Sequence, residues 1–158
     1  MVLDGLEKEI YLYSGAKPKR NPYKVHFIRY ADDFVVTCNS REYLENEIKP
    51  IIITFLDERG LKLALEKTLI THISDGFDFL GFNVRKYKNK CLTKPKKESV
   101  INVYNKMSES VNSLIAGSQL QVILKLTPII RGWSNFYSHS AAKRTFILLD
   151  FKLFKLLL

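Results

Sequence analysis

The sequence predicts an α+β fold, an antiparallel layer of strands and helices followed by a small helical bundle. Two β-branched, aromatic runs, Val25–Arg29 and Phe34–Cys38, flank a short polar turn, the pattern of a hairpin. A helical stretch and further strands then follow in an order typical of antiparallel α+β layers. Beyond residue 100 the apolar residues recur at helical spacing instead of alternating, which marks core-facing helices.

Taken in order, Leu3, Leu6, Ile10 and Tyr13 share a helical face, so residues 2–13 are predicted to be a short amphipathic helix. Gly15 through Pro22 is a basic, proline-containing loop. After the hairpin, residues 41–58 form a second helix with Ser40 as N-cap. Its apolar face carries Tyr43, Leu44, Ile48, Ile51, Ile52 and Phe55, and Gly60 ends it. Leu61, Leu63 and Leu65 alternate with Lys62, Ala64 and Glu66, a strand-like pattern. Leu69–Ile73 and Phe77–Val84 are two more expected strands, separated by the turn Ser74-Asp75-Gly76. Val100, Val103, Met107, Val111 and Leu114 form the stripe of a helix, and a loop containing Gly117 follows. A short helix is expected over 120–126. Thr127-Pro128 then has the form of an N-cap with proline in the first turn. The next helix presents Ile129, Ile130, Trp133, Phe136 and Tyr137, and a last one runs from Ala141 to the end.

With 158 residues, 46% of them apolar, the chain holds one ordinary domain or two small ones with a sizeable core. The formal net charge of +9 points to a polyanionic partner. Nucleic acid fits better than a membrane, since no apolar stretch approaches the roughly 18 residues a spanning helix needs. Cys38 and Cys91 have no cysteine or histidine partner at ligand spacing, so they are read as reduced thiols, without a zinc site. His26, His72 and His139 likewise show no ligand spacing. The amino terminus has mixed charge, unlike a secretory signal.

The chemistry concentrates in Tyr30-Ala31-Asp32-Asp33. Asp-Asp forms strands poorly and belongs at the hairpin tip, where it presents two carboxylates on a short turn. Adjacent ionised carboxylates repel unless cations neutralise them, so a divalent metal suits the pair. Nucleotidyl-transfer sites use such groups to hold two metals about 3.5–4 Å apart. Aspartates are also common in plain β-turns, because they bond their own backbone. The second charged feature spans residues 85–97, where Arg85, Lys86, Lys88, Lys90, Lys94, Lys96 and Lys97 occur without an acid and with Tyr87 among them. Such a run is either a solvated face or a surface that tracks phosphates. A boundary near Pro95 divides the chain into 1–94 and 95–158.

Tyr-Ala-Asp-Asp after a strand resembles the catalytic motif of reverse transcriptases. Arg59-Gly60-Leu61, Glu66-Lys67-Thr68 and Gly76-Phe77-Asp78-Phe79-Leu80-Gly81-Phe82 resemble the palm of enzymes encoded by group II introns. Pro128-Ile129-Ile130-Arg131-Gly132-Trp133-Ser134-Asn135-Phe136-Tyr137 is similar to that group's maturase-specific thumb domain. These blocks fall in family order over nearly the whole chain. The resemblance implies part of a polymerase palm over 1–94 and a helical thumb over 95–158. It implies Asp32 and Asp33 as ligands of Mg2+, which activates the primer hydroxyl and stabilises the triphosphate in an in-line displacement. Tyr30 and Ala31 either line the path of primer and nucleotide or simply pack in the strand. Leu80-Gly81 resembles a grip on the primer's terminal backbone, with glycine permitting close approach. Lys67 resembles the lysine that protonates pyrophosphate, or is a solvated side chain. Arg85, Lys86, Lys88, Lys94, Lys96 and Lys97 would lie beside the duplex. Arg131 either contacts RNA or caps a neighbouring helix.

The family pattern also has a third carboxylate and nucleotide-binding fingers, which this sequence does not show. None of Asp4, Asp57, Asp75, Asp78 or Asp150 sits in a matching context. Nor does the carboxyl end resemble the basic DNA-binding or endonuclease regions of longer members. The expectation is a chain cut at both ends and inactive as a polymerase alone. Its implied partners are group II intron RNA, an RNA template with a DNA primer, and a separate polypeptide that supplies the fingers. A bacterial cytoplasmic or organellar setting is expected. The alternatives are an intron-RNA-binding module without polymerase activity, or a decayed reading frame.

Overall fold

The computed structural model describes residues 3–14, 21–64, 66 and 68–158. Lys67, Leu65 and most of the expected Gly15–Pro22 loop lie outside the described residues. The chain divides into two compact units, Met1–Ile70 and Thr71–Leu158. The division expected at 94–95 falls within the second.

In the first unit, α1 (Leu6–Tyr13) buries Leu6 and Ile10, while Tyr13 is exposed although its spacing placed it on the same face. Strands β1 (His26–Tyr30) and β2 (Asp33–Thr37) form an antiparallel hairpin in which Tyr30 faces Asp33. The alternation places Phe27, Phe34 and Val36 against the core, and leaves His26, Ile28 and Tyr30 exposed. The expected second helix is a composite of α2 (Arg41–Tyr43), a wide π-turn (Leu44–Ile48) and α3 (Lys49–Asp57). Ser40 caps it as anticipated, its side chain accepting the Tyr43 N–H. Pro50 accounts for the widening: it lacks an N–H, and its ring would strike the carbonyl four residues back in a regular helix. Ile48, Ile52, Phe55 and Leu56 join Leu3, Leu6, Ile10 and Val25 in one core. At the helix end Gly60 has φ +68, and the N–H groups of Gly60 and Leu61 cap the carbonyls of Asp57 and Leu56.

Among the described residues, neither of two further expected strands forms. Residues 61–64 and 69–72 have no regular structure. Alternation records one-sided burial, but a strand also needs a ladder partner, and none exists among the described residues.

The second unit joins a three-stranded antiparallel sheet, β3 (Phe77–Phe79), β4 (Phe82–Tyr87) and β5 (Lys90–Pro95), to three helices. The strand expected over 77–84 is therefore a hairpin, reversing at Leu80-Gly81. The turn at Ser74-Asp75-Gly76 is present. The basic run lies largely on the β4–β5 hairpin, where pairing satisfies its backbone.

The helices are α4 (Lys97–Asn112), α5 (Gln119–Tyr137) and α6 (Lys143–Leu157). Their core is Val103, Met107, Leu126 and Leu149, with Ile129, Ile130 and Trp133 packed around it. The helix break expected at Thr127-Pro128 does not occur. A capping box of Ser118 and Gln121 starts α5 earlier, and Thr127 Oγ1 bonds the Ile123 carbonyl instead of capping. Interior proline costs about 3 kcal/mol. Burial of Leu126 before it and Ile130 after it, in one core, keeps the helix continuous. Among the described residues no helix is long and apolar enough to cross a membrane.

Candidate functional site

The first candidate is the tip of the β1–β2 hairpin. The connection between Tyr30 and Asp33 consists of Ala31 and Asp32 alone. Ala31 has φ +52, a left-handed conformation that costs a non-glycine residue about 1–2 kcal/mol. Asp32 occupies the turn and Asp33 opens β2, both exposed. Strand alternation puts Asp33 on the same outward face as Tyr30 and Ile28. The neighbouring Arg29 binds the Asp4 carboxylate through Nη2 at 2.9 Å. No group of three or more His, Cys, Asp or Glu side chains is placed to hold a metal among the described residues. Two exposed carboxylates are a fitting part of a divalent-metal site, and an incomplete donor set.

The second candidate is the basic hairpin. Arg85, Lys86, Lys88 and Lys94 are exposed along it, or half-exposed in the case of Lys94, with Lys88 at the turn. Pairing of Asn83 with Lys94 and Arg85 with Leu92 places Arg85, Tyr87 and Lys94 on one face. There Lys94 Nζ lies 4.1 Å and the Arg85 guanidinium 5.3 Å from the centre of the Tyr87 ring. Arg85 Nε also donates to the Ser74 carbonyl at 2.7 Å. Lys86, Lys88, Lys94 and Lys97 form no ion pair with the described residues. Lys96 differs: Glu98 lies 2.8 Å away and Asp78 3.9 Å. The hydrogen bond and charge of Glu98 hold its ammonium above the ordinary lysine range, so it is the cation least free for phosphate. Arg131 is exposed in mid-α5 and bonds no neighbouring helix among the described residues.

Leu80 and Gly81 form the β3–β4 turn with φ +50 and +84. The Gly81 carbonyl accepts the Lys96 N–H at 3.0 Å and the Tyr137 hydroxyl at 2.8 Å. Spacing in the sequence places Tyr137 only on an apolar helix face. Its phenolic oxygen was the available signal, since a buried tyrosine hydroxyl needs a partner. Trp133 is packed against the core, whereas Phe136 is 57% exposed and stacks on Phe82 at 5.1 Å. Both cysteines are free thiols.

Residues 2–84 match the family model of reverse transcriptase (RNA-dependent DNA polymerase). Residues 101–158 match the group II intron, maturase-specific domain. The chain is similar to maturase-like protein 1 of Euglena longa, 29% identical over 61% of this chain and 22% of the relative. The Euglena gracilis protein of that name is 27% identical over 75% of this chain and 24% of its own length. The group II intron-encoded protein LtrA of Lactococcus lactis subsp. cremoris is 37% identical over 37% of this chain and 10% of its own. The matched region thus spans less than a quarter of each of these relatives.

Proposed function

This chain belongs to the reverse transcriptase family and carries a group II intron maturase-specific domain, and from that premise we propose that it is the part of an intron-encoded polymerase/maturase that grips intron RNA. We retain the division into palm (1–94) and thumb (95–158) as part of this reading. The observation that carries it is the β4–β5 hairpin, with Lys86, Lys88 and Lys94 free of carboxylate partners among the described residues. Phosphates supply the missing counter-charge, and release of condensed cations supplies the affinity. Tyr87, already flanked by cations, offers a face on which an unpaired base stacks.

Asp32 and Asp33 would hold Mg2+ together with a carboxylate that the described residues do not supply. When bound, the metal would neutralise charge on the transferring phosphate. This chain's own contribution is to present Asp32 in a two-residue turn and Asp33 at the start of β2, beside Tyr30. We infer that the chain binds RNA and does not extend primers alone. Names such as maturase-like and group II intron-encoded in the relatives support intron RNA as the partner.

Filter binding of intron RNA at rising salt tests the reading. The expected result is an affinity that falls steeply with salt, with a shallower slope after joint replacement of Lys86, Lys88, Lys94, Lys96 and Lys97 by glutamine. A slope unchanged by the five replacements refutes the placement. Primer extension with Mg2+ that disappears in Asp32→Ala refutes inactivity of the isolated chain.

A further inference from the structure

The Gly81 carbonyl ends a four-group hydrogen-bond relay. Trp133 Nε1 lies 3.1 Å from Ser99 Oγ, which lies 2.8 Å from the Tyr137 hydroxyl, which in turn lies 2.8 Å from the Gly81 oxygen. Valence sets the directions, because an indole N–H only donates and a carbonyl only accepts. The single phenolic proton goes to Gly81. Ser99 then donates to Tyr137 and accepts from Trp133, so each proton is used once. The remaining lone pair of the carbonyl takes the Lys96 N–H at 3.0 Å.

Within the relay Tyr137 is buried, only 2% exposed, while Ser99, Trp133 and Gly81 are half-buried. Phe82 meets the Tyr137 ring edge-on at 4.9 Å. Leu80 and Gly81 both hold positive φ, a conformation that persists for leucine only where the surroundings impose it. Two backbone acceptor bonds at one atom, on a strained turn, make such a constraint.

We propose that Tyr137 is a positioning residue whose hydroxyl holds the Leu80-Gly81 turn in one place relative to α4 and α5. The turn then meets nucleic acid as part of the helical bundle and not as a free hairpin tip. Its consequence for nucleic acid rests on the reading of this turn as the element that presses on the primer's terminal backbone.

The whole 158-residue chain serves for the test, with Tyr137→Phe, which keeps the ring, and Ser99→Ala, which cuts the relay one step earlier. Amide hydrogen exchange is followed at Phe82 and Lys96 beside the turn, and at Met107 in α4. Affinity is measured for a DNA primer on an RNA template with a recessed 3′ end, and for the same duplex made blunt. In Tyr137→Phe, exchange at Phe82 and Lys96 should rise on the order of fivefold, as loss of one net hydrogen bond implies, with Met107 unchanged. Preference for the recessed end should fall by a similar factor at constant affinity for the blunt duplex. Ser99→Ala should shift both readouts less, and Ser99→Thr should restore them. Unchanged exchange beside the turn overturns the positioning role, as does acceleration at Met107 in step with it. Selective acceleration in a chain whose wild type shows no recessed-end preference supports the positioning role and refutes the primer contact.

Discussion

Replacing Gly81 by alanine tests how tightly the β3–β4 turn is held. The left-handed conformation at φ +84 costs alanine about 1–2 kcal/mol. The stiffer unfolded chain returns about 0.4–1 kcal/mol. An added Cβ would stand 3.1 Å from the Tyr137 hydroxyl oxygen and 3.8 Å from Phe136. The hydroxyl must therefore yield, and weakening its bond to the Gly81 carbonyl removes about 1 kcal/mol. The net expectation is about 2 kcal/mol of destabilisation. Trp133 is the single tryptophan and lies in the second unit, so its fluorescence reports that unit's unfolding in urea. With a slope of about 2 kcal/mol per molar, the midpoint should drop by about 1 M. In a Tyr137→Phe background the obstructing hydroxyl is gone, and the same glycine replacement should cost only about 1 kcal/mol. Equal costs in the two backgrounds, or a loss under about 0.5 kcal/mol, refute the contact argument.

Three further outcomes are expected. Pro128→Ala restores an interior helix N–H, and it should stabilise the second unit by about 2 kcal/mol in the same fluorescence assay, after allowance for the looser unfolded chain. Ile10→Ala empties a fully buried site and should cost the first unit about 3 kcal/mol, read by circular dichroism because that unit lacks tryptophan. Burial first, then the charge of Glu47, pushes the Tyr43 phenol above its ordinary value of 10.0. The folded state thus favours the neutral phenol, so this contribution is complete below pH 10 and vanishes as pH rises through the elevated value. Urea midpoints measured across that range should lose this alkaline component in Tyr43→Phe.

Local patterns read well where one segment satisfies itself. Ser40 as a cap, the two strands around Asp32-Asp33 and the α4 stripe through Val103 and Met107 depend on neighbours a few residues away. The motif resemblance is supported by the two family models that cover residues 2–84 and 101–158. Errors fell where a distant partner decides. Leu61 and Leu63 alternate, yet no described strand pairs with them. Phe77–Val84 has the composition of one strand, but Leu80-Gly81 reverses it. Thr127-Pro128 has the form of a helix start, and core burial on both sides overrules it.

The α+β class, the family and the placing of Asp32 and Asp33 at a hairpin tip are legible in the residues alone. Those follow from short-range sterics, side-chain period and motif order. Packing in three dimensions settles that the basic run is largely a paired hairpin, that Glu98 and Asp78 occupy Lys96, and that Tyr137 reaches a carbonyl 56 positions away. Hydrogen bonds and ion pairs between distant residues depend on how segments pack, and no local spacing encodes which oxygen a buried hydroxyl will meet.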